Sequence, residues 1–147
     1  MTDTGSREEK DVIKILLVDD IEIIRERIKT LLKQIPATLS LIEAGDANEA
    51  VLQLISVKPD AVILDIRMPG RNGLELLKEI KKVCPSARTI ILTNYPYPQY
   101  RKKCFELGAD YFLSKSTEFE NLLSIIMQIH IDSLNIREDK NGNKKIE

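Results

Sequence analysis

The sequence predicts an α/β domain built on one doubly wound parallel sheet. Five short, β-rich apolar runs are spaced along the chain, and each is followed by a stretch whose apolar residues recur at helical spacing. Strands alternating with helices call for a parallel sheet covered on both faces. A third observation is chemical: four of the five runs end in Asp, Thr or Lys. Right-handed crossovers then leave few arrangements of the strands.

Residues 1–11 are polar and are expected to form a disordered lead-in, with one folded domain over 12–134. Val12–Val18 is nearly all apolar, as a central strand should be, and it ends in Asp19-Asp20. Ile21, Ile24, Ile28, Leu31, Leu32 and Ile35 form the stripe of an amphipathic helix stopped by Pro36. Leu39–Ala44 reads as the second strand. Gly45 turns the chain, and Asp46 is an N-cap for a helix through Ala47, Ala50, Val51, Leu54 and Ile55, ending before Pro59. The third strand runs from Asp60 through Ala61-Val62-Ile63-Leu64 into Asp65, and the chain breaks at Pro69-Gly70. Gly73 allows a close turn, and Leu74, Leu77, Ile80 and Val83 make the next stripe, closed by Pro85. Arg88–Leu92 is the fourth strand, ending in Thr93-Asn94. In Tyr95-Pro96-Tyr97-Pro98, each residue before a proline is pushed away from the α region, so the fourth helix is predicted from near Pro98 to Leu107. Gly108 is its C-terminal glycine. Asp110–Ser114 is the fifth strand, followed by Lys115-Ser116. Thr117 is predicted to cap a last helix from about Glu118 into the Ile129 region, and 135–147 reads as a polar tail.

Composition excludes several classes of function. Net charge is -1, which gives no electrostatic case for direct nucleic-acid binding or for an anionic membrane. No apolar run approaches a membrane span, and the first ten residues lack a signal-peptide core. Cys84 and Cys104 match no metal or redox spacing, so reduced thiols and a cytoplasmic location are expected. With His130 as the only histidine, a His-based metal site or catalytic triad has no material.

In a parallel sheet the carboxyl ends of the strands share one edge, where chemistry in open α/β folds gathers. That edge would collect Asp19 and Asp20 from strand one, Asp65 from strand three, Thr93 from strand four and Lys115 from strand five. Three carboxylates, a hydroxyl and an ammonium are the parts of a phosphoryl-transfer site. The carboxylates would repel one another, and Mg2+, which favours oxygen ligands, would relieve that repulsion and neutralise a transferring phosphoryl group. Asp65 can then serve as nucleophile, with Lys115 and Thr93 holding phosphoryl oxygens. Each residue also has an ordinary use: Asp20 as an N-cap, Asp65 and Thr93 as turn residues, Lys115 as a solvated lysine. Taken together they fit one reaction.

From about Ile13 to Met127 the chain resembles the receiver domain of bacterial two-component response regulators. Leu17-Val18-Asp19-Asp20 matches that family's acidic pair, and Leu64-Asp65-Ile66-Arg67-Met68-Pro69-Gly70-Arg71-Asn72-Gly73 its phosphorylation segment. Leu92-Thr93 matches its switch hydroxyl, and Gly108-Ala109-Asp110-Tyr111-Phe112-Leu113-Ser114-Lys115 the segment with its lysine. The resemblance implies a flavodoxin-like (βα)5 fold with strand order 2-1-3-4-5. It implies that Asp65 accepts phosphate from a histidine kinase or histidine phosphotransfer protein and that the chain catalyses its own phosphorylation and dephosphorylation. Asp20, Asp65 and the backbone carbonyl of Arg67 would bind Mg2+ directly, and Asp19 through a water. Lys115 would pair with the phosphate, Thr93 would move toward it, and the aromatic Phe112 would turn inward.

The chain departs from the family pattern at several points. Asn94 replaces a small residue beside the switch hydroxyl and narrows access to Asp65. Ser116 replaces the usual proline, so a trans peptide is expected after Lys115. Arg67 lies close enough to contact a phosphoryl oxygen or obstruct water, and Pro96 and Pro98 alter the switch loop. The text after the last helix is too short for a DNA-binding domain, so output is expected through contact with a downstream protein, or a homodimer, on the fourth helix, fifth strand and fifth helix. Three alternatives remain: a phosphorylation-independent dimerising or adaptor module, the truncated receiver of a DNA-binding transcriptional regulator, and a small flavin-binding protein.

Overall fold

The computed structural model describes residues 12–67 and 72–140, with side chains described as far as 135. The turn expected at Pro69-Gly70, the lead-in over 1–11 and the last seven residues of the tail lie outside the described residues. The elements alternate without exception. They are β1 (Ile13–Val18), α1 (Glu22–Leu32), β2 (Leu39–Ala44), α2 (Ala47–Val57), β3 (Ala61–Leu64), α3 (Gly73–Val83), β4 (Arg88–Thr93), α4 (Pro98–Glu106), β5 (Tyr111–Ser114) and α5 (Asn121–Lys140). The five strands are all parallel in the order β2-β1-β3-β4-β5, the flavodoxin-like arrangement expected.

The period of two along each strand decides which helices cover which face. Leu16, Val18, Val62, Leu64 and Ile91 point to a core closed by α2, α3 and α4 through Ala50, Leu54, Leu76, Leu77, Ile80 and Cys104. Ile15, Leu17, Ile63, Ile90 and Leu92 point to the other core, closed by α1 and α5 through Ile28, Leu32, Leu122, Ile126 and Ile129. Central β1 and β3 are buried on both faces, which is why they read as continuous apolar runs.

Local signals hold where their chemistry is satisfied. Asp46 accepts the Glu49 amide at 2.8 Å and caps α2. Pro98 opens α4 in its first turn, and Gly108 follows the helix at φ 102°, a conformation costly for any other residue. Gly73 has the sharpest requirement, since a Cβ there would lie 2.4 Å from the Ile66 backbone. That packing presses the start of α3 against the segment that leaves β3.

Other expectations shift. Ile21, Ile55 and Val83 belong to the apolar stripes by spacing but are 44%, 59% and 38% exposed. In α3, Leu77 and Ile80 of the expected stripe are buried and Leu74 packs half-buried against the core, while Leu76 joins the inward face and Val83 turns outward. Thr117 does not start the last helix. The Glu118 amide donates to the Ser114 carbonyl, and the Glu118 carboxylate accepts the Ser114 amide at 3.0 Å. These bonds close a turn that delays α5 to Asn121. At its other end α5 runs to Lys140, past the Asn135 where polarity suggested an end. Arg, Glu and Lys are sound helix formers, so polarity alone does not stop a helix.

Gly73→Ala is expected to destabilise the domain by about 2 kcal/mol or more, measured by denaturant unfolding. Stability equal to that of the parent chain would show that the Ile66–Gly73 contact yields without cost.

Candidate functional site

The register brings the strand ends together as the sequence requires. Val18 pairs with Leu64, Leu64 with Ile91, and Thr93 with Ser114. One residue further along, Asp19, Asp65 and Lys115 emerge on the same edge. The Asp65 amide donates to the Val18 carbonyl at 3.0 Å, and the Lys115 amide to the Thr93 carbonyl at 2.8 Å. These bonds extend the parallel ladder past the strands and hold the three residues in line.

Their side chains meet. The Lys115 ammonium lies 2.8 Å from Asp19 Oδ2 and 3.0 Å from Asp65 Oδ2, although 96 and 50 residues separate the partners. The other oxygens are also held: Asp19 Oδ1 accepts the Ile21 amide and Asp65 Oδ1 the Arg67 amide, both at 3.0 Å. Asp19, Asp65 and Lys115 are buried, while Asp20 is exposed. Each of the three carboxylates offers an oxygen within 4.8 Å of the others. Asp20 is not the cap of α1. Ile21 holds that position without a side-chain cap, since isoleucine has no acceptor, and its own amide is taken by Asp19.

One ammonium serves two buried carboxylates, so the group is short of positive charge. Burial pushes the Asp65 carboxyl above its usual pKa, and the Asp19 charge adds to the rise. The Arg67 amide and Lys115 oppose it without overcoming it. Burial also acts to lower the Lys115 pKa, but its bond to Asp19 and the attraction of Asp65 carry it above the usual lysine value, so it stays protonated. A carboxylate cluster with hard oxygen donors and a deficit of positive charge suits a small divalent cation. Asp19, Asp20 and Asp65 are the side chains that could hold it.

The expected switch residues lie beside this group. Thr93 is fully buried, and its hydroxyl accepts the Tyr95 amide at 3.0 Å rather than reaching toward Asp65. Phe112 is buried in the core under α4, in the inward position. Among the described residues every peptide is trans, and Ser116 instead forms a short turn whose hydroxyl is 3.1 Å from that of Ser114. A cleft of about 580 Å3 opens over the site, lined by Asp20, Asp65, Lys115, Arg67, Asn94 and Tyr95 among others.

Sequence reasoning missed one positioning element. The Arg25 guanidinium donates to the Asp19 carbonyl and, at 2.9 Å, to Glu43 at the end of β2. Lys29, one turn on, bonds the other Glu43 oxygen at 2.8 Å. The signal was present, since Arg and Lys four residues apart on α1 face the one acid on the neighbouring strand. The arrangement clamps the backbone that carries the acidic pair.

Comparison with known proteins agrees with this geometry. The family profile described as response regulator receiver domain matches residues 15–127. The DNA-binding transcriptional activator DevR/DosR of Mycobacterium tuberculosis is 30% identical over 118 residues, 80% of this chain and 54% of that protein. The nitrate/nitrite response regulator protein NarL of Escherichia coli is 32% identical over 114 residues, 78% of this chain and 53% of that protein. The chain thus spans about half the length of these curated relatives. A crystal structure of a two-component response regulator of the LuxR family from Aurantimonas sp. SI85-9A1 superposes with a TM-score of 0.76 at 32% identity, covering 82% of this chain and 86% of that one. With the acidic cluster, the lysine bridge and the sheet order in agreement, this chain belongs to the response regulator receiver domain family.

Proposed function

We propose that the chain is a phosphoacceptor switch that takes a phosphoryl group on Asp65 from a phosphohistidine of a histidine kinase or phosphotransfer protein. The observation that carries this reading is the Lys115 ammonium held between Asp19 and Asp65 beside a third carboxylate. An Asp65 oxygen attacks phosphorus, the bond from phosphorus to the donor imidazole breaks, and the imidazole leaves with the bonding electrons. Asp20, Asp65 and the Arg67 carbonyl would hold Mg2+, with Asp19 acting through a water, and the bound ion would supply positive charge against the transferring group. Lys115 balances the phosphoryl oxygens. Thr93 exchanges its bond to the Tyr95 amide for a phosphoryl oxygen, and buried Phe112 keeps the space beneath it closed. Phosphate contacts thereby favour one state of the loop after β4.

The output surface in this reading is α4, β5 and α5, where Tyr97 and Phe105 are 49% and 40% exposed and available to a downstream protein or a second copy. No described helix is long and apolar enough to cross a membrane, and a cytoplasmic setting suits the two free, buried thiols. A second reading, the receiver portion of a DNA-binding regulator, is favoured by relatives such as DevR/DosR, of which this chain matches only part.

Acetyl phosphate with Mg2+ is expected to add one phosphoryl group by intact mass, and Asp65→Asn should abolish the adduct. Absence of the adduct from the parent chain would favour a phosphorylation-independent interaction module. Asp65→Asn should also remain folded. A carboxyl whose pKa rises on folding contributes stability below its unfolded value and loses it as pH climbs through the folded value. Removing that charge at pH 7 should therefore raise the melting midpoint by a few degrees in chelator. A lowered midpoint would show that Asp65 is net stabilising. Lys115→Met leaves two buried carboxylates without their cation, and denaturant unfolding should show a loss of about 3 kcal/mol.

A further inference from the structure

Besides Lys115, Arg67 is the only cation among the described residues that line the cleft. Its side chain is exposed but seated. The guanidinium carbon lies 4.2 Å from the centre of the Tyr95 ring, and one terminal nitrogen donates to the Tyr100 hydroxyl at 3.3 Å. Tyr97 continues the cluster, 6.2 Å from Tyr95 and 5.7 Å from Tyr100 between ring centres. Tyr95 sits in the loop after β4, and Tyr100 in the first turn of α4. Arg67 is rooted at the other end, where its amide bonds Asp65 Oδ1 at 3.0 Å. One residue thus joins the acceptor carboxylate, through its backbone amide, to the start of α4, through its guanidinium.

We propose that Arg67 is a second cation for the phosphoryl group, and that it leaves its seat on Tyr95 and Tyr100 to bind it, carrying the state of Asp65 to the start of α4. The inference rests on Asp65 being the phosphoacceptor. Charge supplies the reason for the exchange. Three carboxylates face one ammonium, and a divalent ion brings that group to neutrality. An aspartyl phosphate carries about two negative charges where the carboxylate carried one, so modification leaves the cleft about one charge negative. Among the described residues lining the cleft, Arg67 is the cation left to answer it. A guanidinium meets phosphate through paired, charge-assisted hydrogen bonds. Its present partners are an aromatic face and a neutral hydroxyl at the protein surface, which hold it more weakly. Departure of the guanidinium uncovers Tyr95 and frees Tyr100 in α4. This route from the site to α4 runs through different atoms from the exchange at the Thr93 hydroxyl.

The chain contains no tryptophan and four tyrosines, so tyrosine emission reports largely on this cluster. The experiment treats the full chain with acetyl phosphate and Mg2+ while intact mass follows the adduct and tyrosine fluorescence follows the cluster. The parent chain is expected to show the adduct together with an emission change. Arg67→Met is expected to form the adduct roughly three- to tenfold more slowly and without that change. An adduct on the parent chain with unchanged emission, or the full emission change on the Arg67→Met adduct, would overturn the proposal. So would an Arg67→Met chain that takes no phosphate at all, because Arg67 would then be needed for transfer itself. Absence of the adduct from the parent chain would remove the phosphoacceptor reading along with this one, an outcome separable from the others by mass alone.

Discussion

The Lys115 ammonium between the carboxylates of Asp19 and Asp65 is the contact on which the rest of the site depends. All three side chains are nearly excluded from water, where an unpaired charge is costly. They can be paired only if β1, β3 and β5 end at one level, which their parallel register secures. The fold therefore does more than support the site. A slip of one residue in any of these strands would turn the charged end residue toward an apolar core and break the pair.

The same contact leaves the site unfinished. One cation is shared between two buried carboxylates with a third close by, so the cluster keeps a deficit of positive charge that folding alone does not remove. Burial, with a smaller push from the Asp19 charge, raises the Asp65 pKa, and a divalent ion and a phosphoryl chemistry would make use of the deficit. Two further arginines work around it in different ways. Arg25 secures the backbone of the acidic pair from the α1 side, and Arg67 stands over the cleft with its charge resting on tyrosines. The acidic loop is braced, whereas the side chain above it is held by contacts that a stronger anion can displace.

Much of this architecture was legible along the chain. Strand and helix alternation, the Asp46 cap, the start of α4 at Pro98 and the turn at Gly108 are local matters of backbone geometry, and sequence states them directly. The residues of the site were legible too, because a parallel sheet sends every strand end to one edge. Helix faces were less so. Ile55 and Val83 have the spacing of core residues, but a helix of three turns carries more apolar side chains than its sheet can cover. The delay of α5 to Asn121 was also hidden, since it arises from Glu118 folding back on Ser114.

What sequence alone determined, then, was the order of elements and the identity of the groups at the strand ends, since both follow from short-range rules of periodicity and turn chemistry. Tertiary structure decided which of those groups touch, how far each is buried and where the long cations come to rest. Lys115 could not be told from a solvated lysine until its partners from β1 and β3 were in place. Arg67 could not be placed on Tyr95 and Tyr100 until the loop after β4 was set against it. Charge, burial and reach are properties of the space between elements, and that space exists only once the chain has packed.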